Sequence, residues 1–230
     1  MGSQSAPIVT PPRQVLFDYL QSVTAGSYSN LTPVPIYNES LVRPAMDEKI
    51  IAIHEAGHAV IARVLGIAVT QVSMLPIGKN NAAGAQALSA SWLANEADRS
   101  AQIRAAENDA KVCLAGLHAQ QKFRPTKVKH RMPVEWLDDF ELAKQFVVKA
   151  VLLETDPAFK LPSERQNIIL SAEASAKVAS RFDQVSSDVK NMIADNWPAI
   201  ERTSETLLRL RTISGKEVDA IMNKCKSYRA

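Results

Sequence analysis

The sequence predicts an α+β fold that is mainly helical: an HExxH helix (His54-Glu55-Ala56-Gly57-His58) with a small β-sheet, followed by a C-terminal helical bundle. Three observations lead there. Over residues 46–65, apolar side chains recur at Ile50, Ile53, Ala56, Val60 and Val64, close to the 3.6-residue period of a helix. Residues 69–77 alternate and begin with β-branched types, as a strand does. From Asn95 onward the pattern is helical almost throughout, with no internal repeat.

Residues 1–45 stand apart, with Pro7, Pro11, Pro12, Pro33, Pro35 and Pro44 among them. They read as a Pro-rich N-terminal arm with a short amphipathic helix over 13–23. A single domain is expected over 46–224, and 225–230 as a C-terminal tail. The HExxH helix begins just beyond Pro44, where Asp47 and Glu48 suit the positive end of the helix dipole, and Gly66 marks its stop. Gly57 inside it costs about 1 kcal/mol relative to alanine. A close backbone approach, by a substrate or a packed strand, would offset that cost. Residues 78–84 read as a turn and 85–90 as a returning edge strand. Helices are expected over 95–121, 134–154, most of 162–194, and after Pro198. Ser214-Gly215 closes the last of these, and 216–224 forms a short final helix.

Composition narrows the function classes. The chain has 230 residues with 46% hydrophobic content, enough for a substantial core. Its net charge of +3 comes from interspersed basic and acidic residues, so no nucleic-acid footprint stands out. The basic stretch 122–131 reads as a solvated loop. Cys113, in an apolar helical stretch, and Cys225, near a polar terminus and expected to be exposed, imply no disulfide framework and fit a reducing compartment. No run approaches the roughly 18 apolar residues of a membrane span, and the N-terminus lacks a secretory pattern. The expectation is a soluble, cytoplasmic protein. Neither Gly78-Lys79 nor Gly215-Lys216 has P-loop spacing.

His54 and His58 lie four residues apart on one helical face, so both imidazoles can reach one metal ion. Glu55 can then serve a water at that ion as general base, which is the front half of a zinc hydrolase site. Catalytic zinc wants a third protein ligand and an open position. The nearest suitable acids are Glu135, Asp138, Asp139 and Glu141, beside the expected core formers Trp136, Leu137, Phe140, Phe146 and Val147. Acids at a helix start also satisfy the helix dipole with no metal at all. His118 and His130 read as structural or exposed.

The run His54-Glu55-Ala56-Gly57-His58-Ala59-Val60 resembles the protease domain of FtsH-type ATP-dependent zinc metalloproteases, and the likeness extends over about 46–224. Val72-Ser73-Met74-Leu75-Pro76-Ile77-Gly78 with Gly84 is similar to that family's strand and Pro-Arg-Gly turn. Leu114-Ala115-Gly116-Leu117-His118-Ala119 resembles its Leu-Ala-Gly-Arg-Ala-Ala segment. Trp136-Leu137-Asp138-Asp139-Phe140-Glu141-Leu142-Ala143 resembles its Ala-Ser-Asn-Asp-Leu-x-x-Ala element. Trp197-Pro198-Ala199-Ile200, Leu207-Leu208 and Gly215-Lys216-Glu217-Val218 are similar to its C-terminal helices.

The resemblance implies a Zn2+ metalloendopeptidase with His54, His58 and Asp139 as ligands and Glu55 as catalytic base. Asp138 takes the Asn position beside the metal, and a register shift of one residue would exchange the two acids. The departures are specific. The family's ATPase module and membrane spans are not in this sequence, Ile77 and Leu117 replace arginines, and Val134-Glu135-Trp136 replaces a Gly-Ala-Ser entry. The implied substrate is a flexible or unfolded protein segment, handled alone or with a separate ATPase or regulatory protein. The alternatives are a non-catalytic peptidase-derived scaffold and a regulatory protease specific for one partner protein. A peptide is expected to lie along the 85–90 edge as an added strand.

Overall fold

The computed structural model describes residues 48–75, 84–87, 98–125, 134–159 and 170–227, with backbone only for 84–87 and 134–138. The expectations for the N-terminal arm, for the turn before Gly84, for the basic stretch beyond Pro125 and for His130 lie outside the described residues. Six helices and a three-stranded sheet make up the described chain: α1 (Glu48–Val64), β1 (Val69–Ser73), β2 (Gly84–Ala87), α2 (Arg99–Phe123), α3 (Val134–Thr155), α4 (Ala172–Asp195), α5 (Trp197–Leu210), β3 (Thr212–Ser214) and α6 (Gly215–Ser227). The fold is mainly helical α+β. No helix among the described residues is long and apolar enough to cross a membrane.

Local chemistry sets most of the boundaries. Gly66 takes φ 77° after α1, while its N–H donates to Arg63 O (3.1 Å) and the Ile67 N–H to Ala62 O (2.8 Å). That is a Schellman stop, which needs a residue comfortable at positive φ. Asp98 caps α2 by accepting from the Ala101 N–H at 2.9 Å, and Ser171 caps α4 by accepting from Ala174 at 3.1 Å. The carbonyls at the end of α3 go to Arg99, whose guanidinium donates to Leu153, Asp156 and Pro157. One arginine thus ties the start of α2 to the end of α3.

The sheet order is β2-β1-β3, both pairings antiparallel. Val72 opposes Ala85 on one side and Ile213 on the other, and a register shift between Val69 and Gln71 breaks the β1/β2 ladder. β2 is an edge strand, as its sequence suggests. β3 departs from expectation. The chain leaves α5 at Arg211, in the left-handed region at φ 64°, and Thr212–Ser214 then joins the sheet. Ser214 therefore opens α6 instead of closing α5. Its N–H and hydroxyl donate to the Glu217 carboxylate at 2.7 and 2.8 Å, and the Glu217 N–H returns to Ser214 Oγ at 3.4 Å. This Ser-x-x-Glu capping box starts the helix. α6 runs to Ser227, three residues into the segment read as a tail, and leaves Cys225 half-buried against the core.

α1 is the central element, packed on α2, α5 and the sheet. Ile53, Ile61, Leu114, Val147, Ile200 and Ile213 are almost fully buried in one core that all these elements share. A Cβ on Gly57 would lie 2.7 Å from Ala119 Cβ and 2.8 Å from Ala115 O. The element that exploits Gly57 is therefore a helix, α2, and not the substrate or strand expected from sequence. Because backbone stands in the way, Gly57→Ala is expected to destabilise the protein by about 1–3 kcal/mol through overpacking, outweighing the ~1 kcal/mol gain in helix propensity. Urea denaturation of the metal-free protein checks this, and an unchanged or raised midpoint would show that the two helices can part freely.

Candidate metal centre

The i, i+4 spacing on α1 puts His54 and His58 on the face turned toward α2 and α3. Their rings meet edge to face, with centroids 4.6 Å apart and planes at 79°. Their Nε2 atoms are 3.0 Å apart, and Asp139 Oδ2 lies 3.1 Å from each. Asp139 sits near the start of α3, and the next residue anchors that turn: Phe140 packs edge to face on Phe182 of α4 at 5.2 Å. Three donor atoms thus converge from residues up to 85 apart in sequence.

The donor set fits a metal ion. A tetrahedral zinc with ligands at 2.0–2.1 Å holds its donor atoms roughly 3.3 Å apart. The observed edges of 3.0 and 3.1 Å need open by only a few tenths of an ångström. Two imidazoles and a carboxylate are also donors that zinc accepts. His58 is prepared for this role by the backbone of α2: its Nδ1–H donates to Val112 O at 2.6 Å. In the neutral ring that bond leaves the Nε2 lone pair pointing at the centre. A backbone carbonyl carries no side-chain signature, so this partner was invisible in the sequence.

The centre is buried on one side. The side chains of His54 and His58 are 8% and 10% exposed, and that of Asp139 is 31% exposed. Burial alone would lower the pKa of His58. The charge and hydrogen bond of Asp139, with lesser help from Glu55 and the Val112 carbonyl, override it and raise the pKa to about 9. Burial opposes ionisation of Asp139 too, but His58 and His54 hold its carboxyl well below the usual carboxylate range. Without an ion, a proton on His58 therefore does the work of bridging the pair. Glu55 is buried within the same turn of α1.

Among the acids that the sequence offered as third ligand, the structure brings Asp139 to the histidines. Glu141 instead pairs with Lys144 at 2.9 Å, and the side chains of Glu135, Trp136, Leu137 and Asp138 lie outside the described residues. Phe146 and Val147 are buried, as expected of core formers. His118 is structural: its Nδ1–H donates to Gln121 Oε1 at 3.0 Å and its Nε2 accepts from Ser186 at 2.9 Å, joining α2 to α4. Burial lowers its pKa, so it stays neutral at physiological pH. A cleft of about 820 Å³ between α3 and α4, lined by Glu154, Glu173, Lys177 and Arg181 among others, holds none of the three donors. Donor geometry, not cleft volume, marks the candidate centre. No protein-family model matches this chain, and no curated protein does either.

An imidazole must be neutral to ligate a metal. With its pKa raised to about 9, His58 carries a proton at pH 7 in the metal-free protein, whereas Asp139 is already ionised. Zinc uptake at pH 7 is thus expected to release about one proton per chain, falling toward zero above pH 9. Apparent affinity should rise about tenfold per pH unit up to that point. Calorimetric titrations in buffers of different ionisation enthalpy measure the proton count. A count near zero at pH 7 would mean that the bridging proton is not on His58.

Proposed function

We propose that the protein is a zinc-dependent endopeptidase acting on flexible or unfolded protein segments, with His54, His58 and Asp139 as metal ligands and Glu55 as general base. The observation that supports it best is the convergence of the three donor atoms at 3.0–3.1 Å on the helix that also carries Glu55. Among the described residues three donors converge, a number that suits a catalytic zinc, which keeps a position open, better than a structural zinc, which takes four. When bound, zinc lowers the pKa of a coordinated water toward about 7 and polarises a substrate carbonyl.

The chain's own residues would do the rest. Val112 orients His58, and Asp139 supplies negative charge at the exposed rim. Glu55 takes a proton from the attacking water on its carboxylate and passes it to the departing amine. Among the described residues β2 is an edge of the sheet, along which an extended peptide could add as a further strand. A separate ATPase would extend the range to folded substrates. Cys113 and Cys225, neither of them in a disulfide, fit a reducing compartment such as the cytoplasm.

The second reading, a scaffold or a protease devoted to one partner, draws on Ile77 and Leu117 standing where the resembled family has arginines. Metal content and casein cleavage separate these readings. Wild type is expected to hold about one zinc per chain and to cleave casein. Asp139→Ala should lose the metal, and Glu55→Gln should keep it while losing about 10²–10⁴-fold in turnover. Zinc-loaded wild type that leaves casein intact would favour the scaffold or single-partner reading.

A further inference from the structure

The geometry points to Gly116 as a positioning residue of the metal centre: its lack of a side chain leaves clear the space beside both imidazoles that an ion would need. This rests on the proposed metal site. A Cβ built on Gly116 would overlap His58 Nε2 and lie 2.7 Å from both Nε2 and Cε1 of His54. Gly57, Gly66 and Gly215 have no ligating atoms for neighbours. Gly57 meets Ala115 and Ala119, Gly215 meets the Val69 backbone, and Gly66 meets open space. A methyl group at 116 would therefore crowd both imidazole nitrogens that must face a common ion.

α2 contributes to the centre twice, one helical turn apart. Val112 holds His58 by its outer nitrogen, and Gly116 clears the space before its inner one. The atoms a Cβ would meet at 116 are the tips of side chains. The imidazoles can turn aside and leave the helix pairing in place, but they cannot then converge. The two glycines facing the α1/α2 seam thus divide the labour: Gly57 permits the helices to approach, and Gly116 permits the metal to enter.

The test compares zinc content, the d–d spectrum after cobalt substitution, and thermal stability of the metal-free form for wild type, Gly116→Ala and His54→Ala. The expected result is that Gly116→Ala folds with a metal-free midpoint near that of wild type, since alanine is the better helix former. It should bind zinc at least 100-fold more weakly and lose the tetrahedral cobalt bands, as His54→Ala does. Wild-type affinity and spectrum in Gly116→Ala would overturn the inference while leaving the metal site standing. A wild type that takes up neither metal would overturn both. Should Gly116→Ala fail to fold, the variant H54A/H58A/G116A decides. If it folds as well as H54A/H58A, the conflict is with the imidazoles, as inferred; if it does not, Gly116 serves helix packing alone.

Discussion

The close contact of α1 with α2 is the constraint on which the rest depends. Helices that meet through ordinary side chains keep their axes about 8–10 Å apart. Here Gly57 faces Ala115 and Ala119, so backbone of one helix comes against small side chains of the other. Across this contact the Val112 carbonyl of α2 meets the His58 imidazole rooted on α1 at 2.6 Å. The helices are matched in small residues where they cross and in large ones elsewhere, as the burial of Ile53, Ile61 and Leu114 shows.

The third donor reaches the pair by a longer route. Asp139 belongs to α3, which runs alongside α2 and is joined to it by Arg99 at one end. Arg181 of α4 reaches both Glu107 of α2 and Glu154 of α3. Such partly exposed ion pairs contribute about 0–1 kcal/mol each, so they adjust register more than they hold the helices together. The larger share comes from apolar burial: Ala143, Phe146, Val147 and Val151 of α3 lie in the common core. The same reasoning applies to the bidentate Arg63–Asp219 pair between α1 and α6, at 2.6 and 2.8 Å.

Legibility in the sequence followed the range of the interactions. Elements encoded by their own neighbours were readable: the periodic apolar face of α1, its stop at Gly66, the alternation of β1 and the long helices. The shared face of His54 and His58 was readable too, because a spacing of four is a property of any helix, and their Nε2 atoms do lie 3.0 Å apart. Asp139 could be narrowed to four acids from the residues and singled out only through a family resemblance, because its link to the histidines is tertiary. β3 was missed, since three residues cannot show an alternation and Thr212–Ser214 is a strand only because β1 lies beside it. The capping box at Ser214 and Glu217 was present in the sequence but was read as the end of one helix instead of the start of the next. The Val112 carbonyl left no trace, being a backbone atom, and Gly116 stood out only within the Leu114-Ala115-Gly116 resemblance, its nearness to the imidazoles being tertiary.

The uneven exposure of the three donors has a kinetic meaning. Asp139 is the most exposed of the three, and both imidazoles are largely buried. On the proposed reading, a cation arriving from water would meet the negative charge of Asp139 first and the buried imidazoles afterwards, where it must displace the proton on His58. Capture can then proceed by stages, with the carboxylate stripping part of the hydration shell before the buried nitrogens complete the exchange. Departure must run the same sequence backwards. If the centre holds a metal as proposed, its outermost donor would be a threshold, setting how fast the centre fills and empties as well as how tightly it holds.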